Sequence, residues 1–194
     1  MRTRRMAMTT RIAPQTERMM TGEEFAALND TGPCELVAGS IVPMTPTSDE
    51  HGGYEANITS ILLSFVRAHG LGKVRSGKVG VYTRRDPDTI RAVDVLFISQ
   101  DQYDRRGETA FLDVPPDLIV EILSSGNAWS ETIQKLREYF SIGVRLVWLV
   151  NPSSQSVFAY RSLTDVREFT IDDDLPGDDV LPGFSVAVRD IFAD

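Results

Sequence analysis

Val93-Asp94-Val95-Leu96-Phe97-Ile98 and Leu118-Ile119-Val120-Glu121-Ile122-Leu123 decide the fold. Both stretches are apolar at odd and even positions alike, so both faces of each must be covered, as in strands at the centre of a sheet flanked by helices. Each also carries one acid, Asp94 in the first and Glu121 in the second. An unpaired carboxylate in such a strand costs several kcal/mol, so each must lie at a strand end, be paired with Arg or Lys, be protonated or be bound to a cation. If the strands are neighbours in register, the two side chains share a face at a separation of ~4–6 Å, a hard-oxygen site suited to Mg2+ or Mn2+. The plainer alternative is a pair of satisfied core salt bridges.

Working outward, Thr21 and Glu24 form a capping box for a short helix over 21–28, and Ala38-Gly39 marks a tight hairpin between 34–37 and 40–44. Ile58, Ile61, Leu62, Phe65 and Val66 recur at three and four and predict an amphipathic helix over 50–69, stopped by Gly70. A strand is expected over 73–83. Beyond Glu121, Ser130 is the expected cap of a helix over 131–141, with Trp129, Ile133, Leu136 and Phe140 as its buried stripe. A strand over 145–150 and an antiparallel pair over 157–161 and 166–171 complete the pattern. Helices interspersed with strands of one mixed sheet argue an α/β (α+β) domain.

The chain has 194 residues, a length that fits one domain at a prior of ~150 residues each. Residues 1–18 read as a flexible basic arm and 19–194 as a single domain. The net charge of −8 disfavours non-specific adhesion to nucleic acid, so any nucleic-acid face must be local; Arg84, Arg85, Arg91, Arg105 and Arg106 are the candidates for a basic rim. No apolar run approaches the ~18 residues that span a bilayer. The single cysteine, Cys34, forms neither an internal disulfide nor a Cys-based zinc site, which favours a cytoplasmic setting.

Lysine is rare here. Of 20 basic residues only three are lysines, so Lys135 is a point charge kept where arginine is the habit. Lys135 and Tyr139 are four apart and neighbours on one helix, which follows the Glu121 strand after a short loop and can bring the lysine over the carboxylates. A snorkelling lysine is the competing reading.

The stretches CELVAGSIVPM (34–44), SDEHGGYEANI (48–58), VDVLFIS (93–99), PPDLIVEILS (115–124), KLREYFSIGV (135–144) and VWLVNP (147–152) resemble, in order and spacing, the restriction endonuclease family called Uma-two. That family belongs to the PD-(D/E)XK nuclease superfamily, and the likeness spans roughly 20–190. The resemblance implies a restriction-endonuclease-like fold, a central mixed sheet flanked by helices, that presents an Asp, a Glu and a Lys to a divalent metal and a scissile phosphate. Asp94 matches the acid of the PD element, with Val93 in place of its proline, and Glu121 matches the (D/E) position. Leu123 stands where the lysine is usual, and the resemblance implies that Lys135 has taken over that role. Glu35, His51 and Tyr139 match further polar or aromatic positions.

The expected function is therefore a Mg2+- or Mn2+-dependent phosphodiester hydrolase, a DNA endonuclease of the restriction type. Asp94, Glu121 and the Ile122 carbonyl would hold the metal and Lys135 would stabilise the developing oxyanion. The resemblance also implies a homodimer, and two-fold symmetry suits duplex cleavage. Two rivals stand beside it: a catalytically inactive nuclease-fold module that binds nucleic acid or protein, and a hydrolase of small phosphoesters, which would need a narrow pocket.

Overall fold

The computed structural model describes residues 18–28, 32–124, 126 and 128–193. The proposed arm lies outside the described residues except for Arg18, which pairs with Glu24. A long hairpin organises the chain: β3 (Gly72–Arg84) pairs antiparallel with β4 (Thr89–Ser99) along nearly its whole length. On its other side, β4 pairs with β1 (Cys34–Val37) near its start, Leu36 opposite Ile90, and with β5 (Leu118–Ile122) over Val95–Val120, Leu96–Ile119 and Phe97–Leu118. Between those two partners the flank of β4 is left without a backbone neighbour at Arg91 to Asp94, and the chemistry gathers there.

The sheet continues outward. The β2 strand (Ser40–Pro43) folds back on β1 through the Ala38-Gly39 turn, whose positive φ values of 50° and 75° suit a two-residue hairpin. On the other side β6 (Leu146–Asn151) pairs parallel with β5, and β7 (Ser156–Tyr160) and β8 (Val166–Phe169) follow antiparallel to the edge. The result is an eight-stranded, mostly antiparallel sheet.

One helix covers each face. From one side α2 (Asp49–His69) buries Ile58, Leu62 and Val66 against Val95, Phe97, Val120, Trp148 and Val150. Ser48 accepts the His51 amide at its start and Gly70, at φ 63°, closes its end. From the other side α4 (Trp129–Ile142) buries Leu136 and Tyr139 against Leu96, Ile98, Ile119, Val147 and Leu149. The alternation of β4 and β5 between the two clusters is why their sequences are apolar at both parities. Short pieces complete the fold: α1 (Gly22–Ala26) with the expected capping box, α3 (Gln100–Tyr103), the ribbon of β9 (Asp174–Pro176) and β10 (Ser185–Ala187), and α5 (Val188–Ile191) against α2.

Two local expectations change. The α4 helix begins at Trp129, with Ala128 as its cap and no side-chain capping bond, so Ser130 does not serve. Trp129, the first residue of the helix, is 61% exposed and stands outside the buried stripe.

Candidate active site

The gap beside β4 is sealed by carboxylates instead of backbone. Glu35 on β1 accepts the Ala92 amide through Oε1 (3.0 Å), and Asp94 accepts the Ile122 amide through Oδ2 (2.8 Å). Both acids thus take the place of missing strand partners, which satisfies backbone donors that could not be left bare in the interior. Asp94 and Glu35 are almost fully buried, at 0% and 3% exposure.

Asp94 is a focus of cationic and polar contacts. Its Oδ1 faces His51 Nε2 (3.3 Å) from the start of α2 and also takes the ammonium of Lys78. Lys78 reaches it because Gly77 and Lys78 together face Asp94 across a β-bulge in β3, where the register slips between Ser76 and Val79. Both bulge residues have positive φ, 87° and 61°, and such bulges re-aim side chains beside functional sites. Burial alone would raise the Asp94 pKa; the His51 contact, the Lys78 charge and the Ile122 amide outweigh it and hold the carboxyl below its ordinary value.

Glu121, the neighbour of Asp94 on β5, faces α4. It accepts the Tyr139 hydroxyl and lies 3.5 Å from Lys135 Nζ, which is itself 3.1 Å from Glu35 Oε1. Burial pushes the Glu121 pKa up, Asp94 adds to this, and the Lys135 charge opposes it. Lys135 shows the reverse balance: burial favours the neutral amine, but Glu121 and Glu35 together keep it protonated well above the ordinary lysine range. Tyr139 is also raised, by burial and then by Glu121, so it remains a hydroxyl donor.

A third layer holds these groups. Arg91, 3% exposed, donates to Glu35 (2.8 Å) and in a bidentate clamp to Glu138 on α4 (2.6 and 2.8 Å). Arg91 therefore leaves the expected basic rim and becomes an internal counter-ion. Arg84 and Arg85 are also engaged locally, Arg84 with the Pro87 carbonyl and Arg85 with Glu23 and Asp88.

The structure thus brings Asp94, Glu121, Lys135, Glu35, His51 and Tyr139 into one connected cluster. Ile122, expected as a carbonyl donor, joins it through its amide. Two members escaped the sequence reading. Glu55, one turn beyond His51, accepts the Gly77 amide (2.7 Å), and the i, i+4 spacing of His51 and Glu55 was the available signal. Lys78 was foreshadowed only by its scarce residue type and by a glycine inside a strand pattern, which marks bulges.

Ligand atoms of His51, Glu55 and Asp94 lie within 4.8 Å of one another, the group of metal-ligating side chains among the described residues. Glu121 lies outside that group. A divalent cation fits the site: the donors are two carboxylates and an imidazole, a set suited to Mn2+, and the ammonium already resting on Asp94 marks the place as one that favours positive charge. Among the described residues the buried His51 Nδ1 has no hydrogen-bond partner, so the imidazole is not fully committed to the contacts shown.

Neither of two surface cavities, of about 190 and 290 Å³, is lined by Asp94, Glu121 or Lys135, although Lys78 lines the larger. No described helix is long and apolar enough to cross a membrane.

No curated protein matches the chain. A crystal structure from Anabaena variabilis ATCC 29413, described as "a putative nuclease belonging to DUF820", is similar at a TM-score of 0.74 and 20% identity, covering 89% of this chain and 97% of that one. That likeness shows the fold, a mixed α/β architecture with its sheet between helices. The family model Uma2, described as "Putative restriction endonuclease", matches residues 22–189. With the ordered motifs folded around one buried acidic and basic cluster, and with the family model spanning nearly the whole described chain, the protein belongs to the Uma2 family.

Proposed function

We propose that this protein is a Mg2+- or Mn2+-dependent endonuclease acting on DNA, with Asp94, Glu121 and Lys135 as its catalytic residues on a single domain over 19–194. The observation that carries the reading is the convergence of a wholly buried Asp94, a Glu121 on the adjoining strand and a Lys135 held charged between Glu121 and Glu35. Asp94 and Glu121 would hold the cation, with His51 and Glu55 completing the donor set from α2. When bound, the cation supplies Lewis-acid polarisation of the phosphate and neutralises its charge.

The remaining chemistry belongs to the chain. Lys135, permanently an ammonium, presents N–H donors to the attacking water and to the oxyanion that develops on phosphorus, where a preorganised charge in a dry site is worth most. Glu35 keeps the ammonium from drifting, and the Tyr139 hydroxyl orients Glu121. Lys78 neutralises Asp94 when no metal is present. For Asp94 to hold a cation, Lys78 would have to release the carboxylate.

A homodimer, suited to cutting both strands of a duplex, and a cytoplasmic setting belong to the same proposal. A nuclease-fold module that binds without cutting is favoured by one observation: the acids are already balanced by Lys78, Lys135 and Tyr139. Supercoiled-plasmid nicking with Mn2+, combined with calorimetric Mn2+ titration, decides between them. Lys135→Ala should reduce the nicking rate by ~10²–10³ with metal affinity retained, as for loss of one oxyanion donor. Asp94→Asn should abolish both. Equal nicking by wild type and Asp94→Asn would refute the enzyme reading.

A further inference from the structure

Outside the catalytic cluster, Arg18, Arg85, Arg145, Arg161 and Arg189 are spent on neighbouring carboxylates. One group of three cations instead shares an aromatic ring. Lys73 and Arg75 on β3 and Arg106 beyond α3 gather round the ring of Tyr103, at 5.7, 5.6 and 3.7 Å from its centre. Arg75 also reaches the Tyr103 hydroxyl (3.5 Å), and Arg106 donates to the Tyr103 carbonyl (2.8 Å). Among the described residues none of the three cations forms an ion pair. Two acids of the adjoining segment turn to other donors: Asp104 takes the Gln100 side-chain amide (2.7 Å) and Asp113 takes the Gly107 amide (3.0 and 3.1 Å). Arg75 and Arg106 are exposed and Lys73 half-buried, so their charges stand toward solvent.

Their place in the sheet connects them to the site. Arg75 lies opposite Leu96 and Lys73 opposite Ile98, and cross-strand partners share a face, the one that carries α4, Glu121 and Lys135. At ~3.3 Å per residue, Arg75 lies ~7 Å and Lys73 ~13 Å along the strand from the level of Asp94. With one phosphate per ~3.4 Å of helix axis on each strand of a duplex, that length corresponds to a rise of about four nucleotides. The β3 strand is also an edge strand. Among the described residues Leu112 covers its outer side only at Gly80 to Tyr82, and no described strand lies beside the Lys73–Lys78 portion.

Resting on the nucleic-acid reading above, we propose that Lys73, Arg75 and Arg106, mustered on Tyr103, form a phosphodiester-binding track that holds the substrate strand on one flank of the catalytic cluster. The ring keeps three like charges together without neutralising them, as cation–π contacts do. The ligand is the sugar-phosphate backbone, so the track contributes affinity and register but no base specificity.

The test is fluorescence anisotropy of a fluorescein-labelled single-stranded DNA oligonucleotide in EDTA, where no cutting occurs, over a range of salt. Wild type should bind with a clear salt dependence. The triple variant Lys73→Ala/Arg75→Ala/Arg106→Ala should lose on the order of tenfold in affinity at low salt and ~2 units of the log–log salt slope, at ~0.7 per phosphate contact. Arg75→Lys should keep the slope that Arg75→Ala lowers. Inorganic phosphate at matched ionic strength should not compete; equal competition per phosphate would mean a free-anion site and overturn the track. So would absent binding by wild type, or a triple variant, folded by circular dichroism, with the wild-type slope. Plasmid nicking on the same proteins reads the catalytic proposal separately: nicking without this binding sinks only the track, and binding without nicking sinks only the enzyme.

Discussion

Replacing Arg91 with methionine removes one guanidinium from between two carboxylates, one of them almost fully enclosed. In the wild type Arg91 makes one bond to Glu35 and two to Glu138, and it is 3% exposed. Loss of one partner of a buried ion pair costs ~3–5 kcal/mol, because the remaining charge stays desolvated and uncompensated. For a chain of 194 residues each kcal/mol moves the melting temperature by ~2–4 °C, so Arg91→Met should melt ~6–20 °C lower by calorimetry. Adding Glu138→Gln should recover much of that loss, since Glu35 keeps Lys135 as its counter-ion and no carboxylate of the cluster is then left without one.

The pH dependence follows from the same contacts. Burial alone would raise the Glu35 and Glu138 pKa values; for Glu35 the Lys135 charge and then Arg91 prevail, for Glu138 chiefly Arg91, and both fall below the ordinary 4.5. Below that pH the unfolded chain binds protons that the folded chain refuses, so this stabilisation is complete above ~pH 5 and drains away as pH falls through the lowered folded values. Arg91→Met should therefore show a shallower acid limb than wild type. A variant melting within ~2 °C of wild type, with an unchanged acid limb, would refute the view that this triad braces the site.

Lys78→Met should tighten Mn2+ binding at least fivefold by titration calorimetry, because two unit charges ~4 Å apart repel by ~1–4 kcal/mol at effective dielectrics between those of water and a protein surface; unchanged affinity would mean that Lys78 already leaves Asp94 at no cost. Gly72→Ala should destabilise the protein by ~1–3 kcal/mol or more in urea melts, since the added Cβ would sit 2.2 Å from the Ile98 carbonyl oxygen and 2.9 Å from the Gln100 amide nitrogen, backbone atoms that cannot swing aside.

How far the sequence reaches can be judged residue by residue. The two-faced apolar runs around Asp94 and Glu121 determined that the sheet is covered on both sides, and the three-four spacing of Ile58, Leu62 and Val66 determined which face of α2 does part of the covering, because burial imposes periodicity locally. The hairpin at Ala38-Gly39 and the capping box at Thr21 were legible for the same reason: backbone geometry there selects particular residues within a few positions. Lys135 was legible as an unusual choice of cation, and Tyr139 as its neighbour one turn on.

Only the tertiary structure decided what those residues touch. That β1 and β5 share one flank of β4 and leave a gap between them depends on strand order, which no local pattern encodes; the gap is what turns Glu35 and Asp94 into acceptors for backbone amides. The same packing drew Arg91 from the surface into the core, seated Lys78 on Asp94 through a bulge, and gathered Lys73, Arg75 and Arg106 on Tyr103 from segments about thirty positions apart. Charges, unlike apolar side chains, carry no period that says where their partners are, so their pairing appears only when distant strands meet.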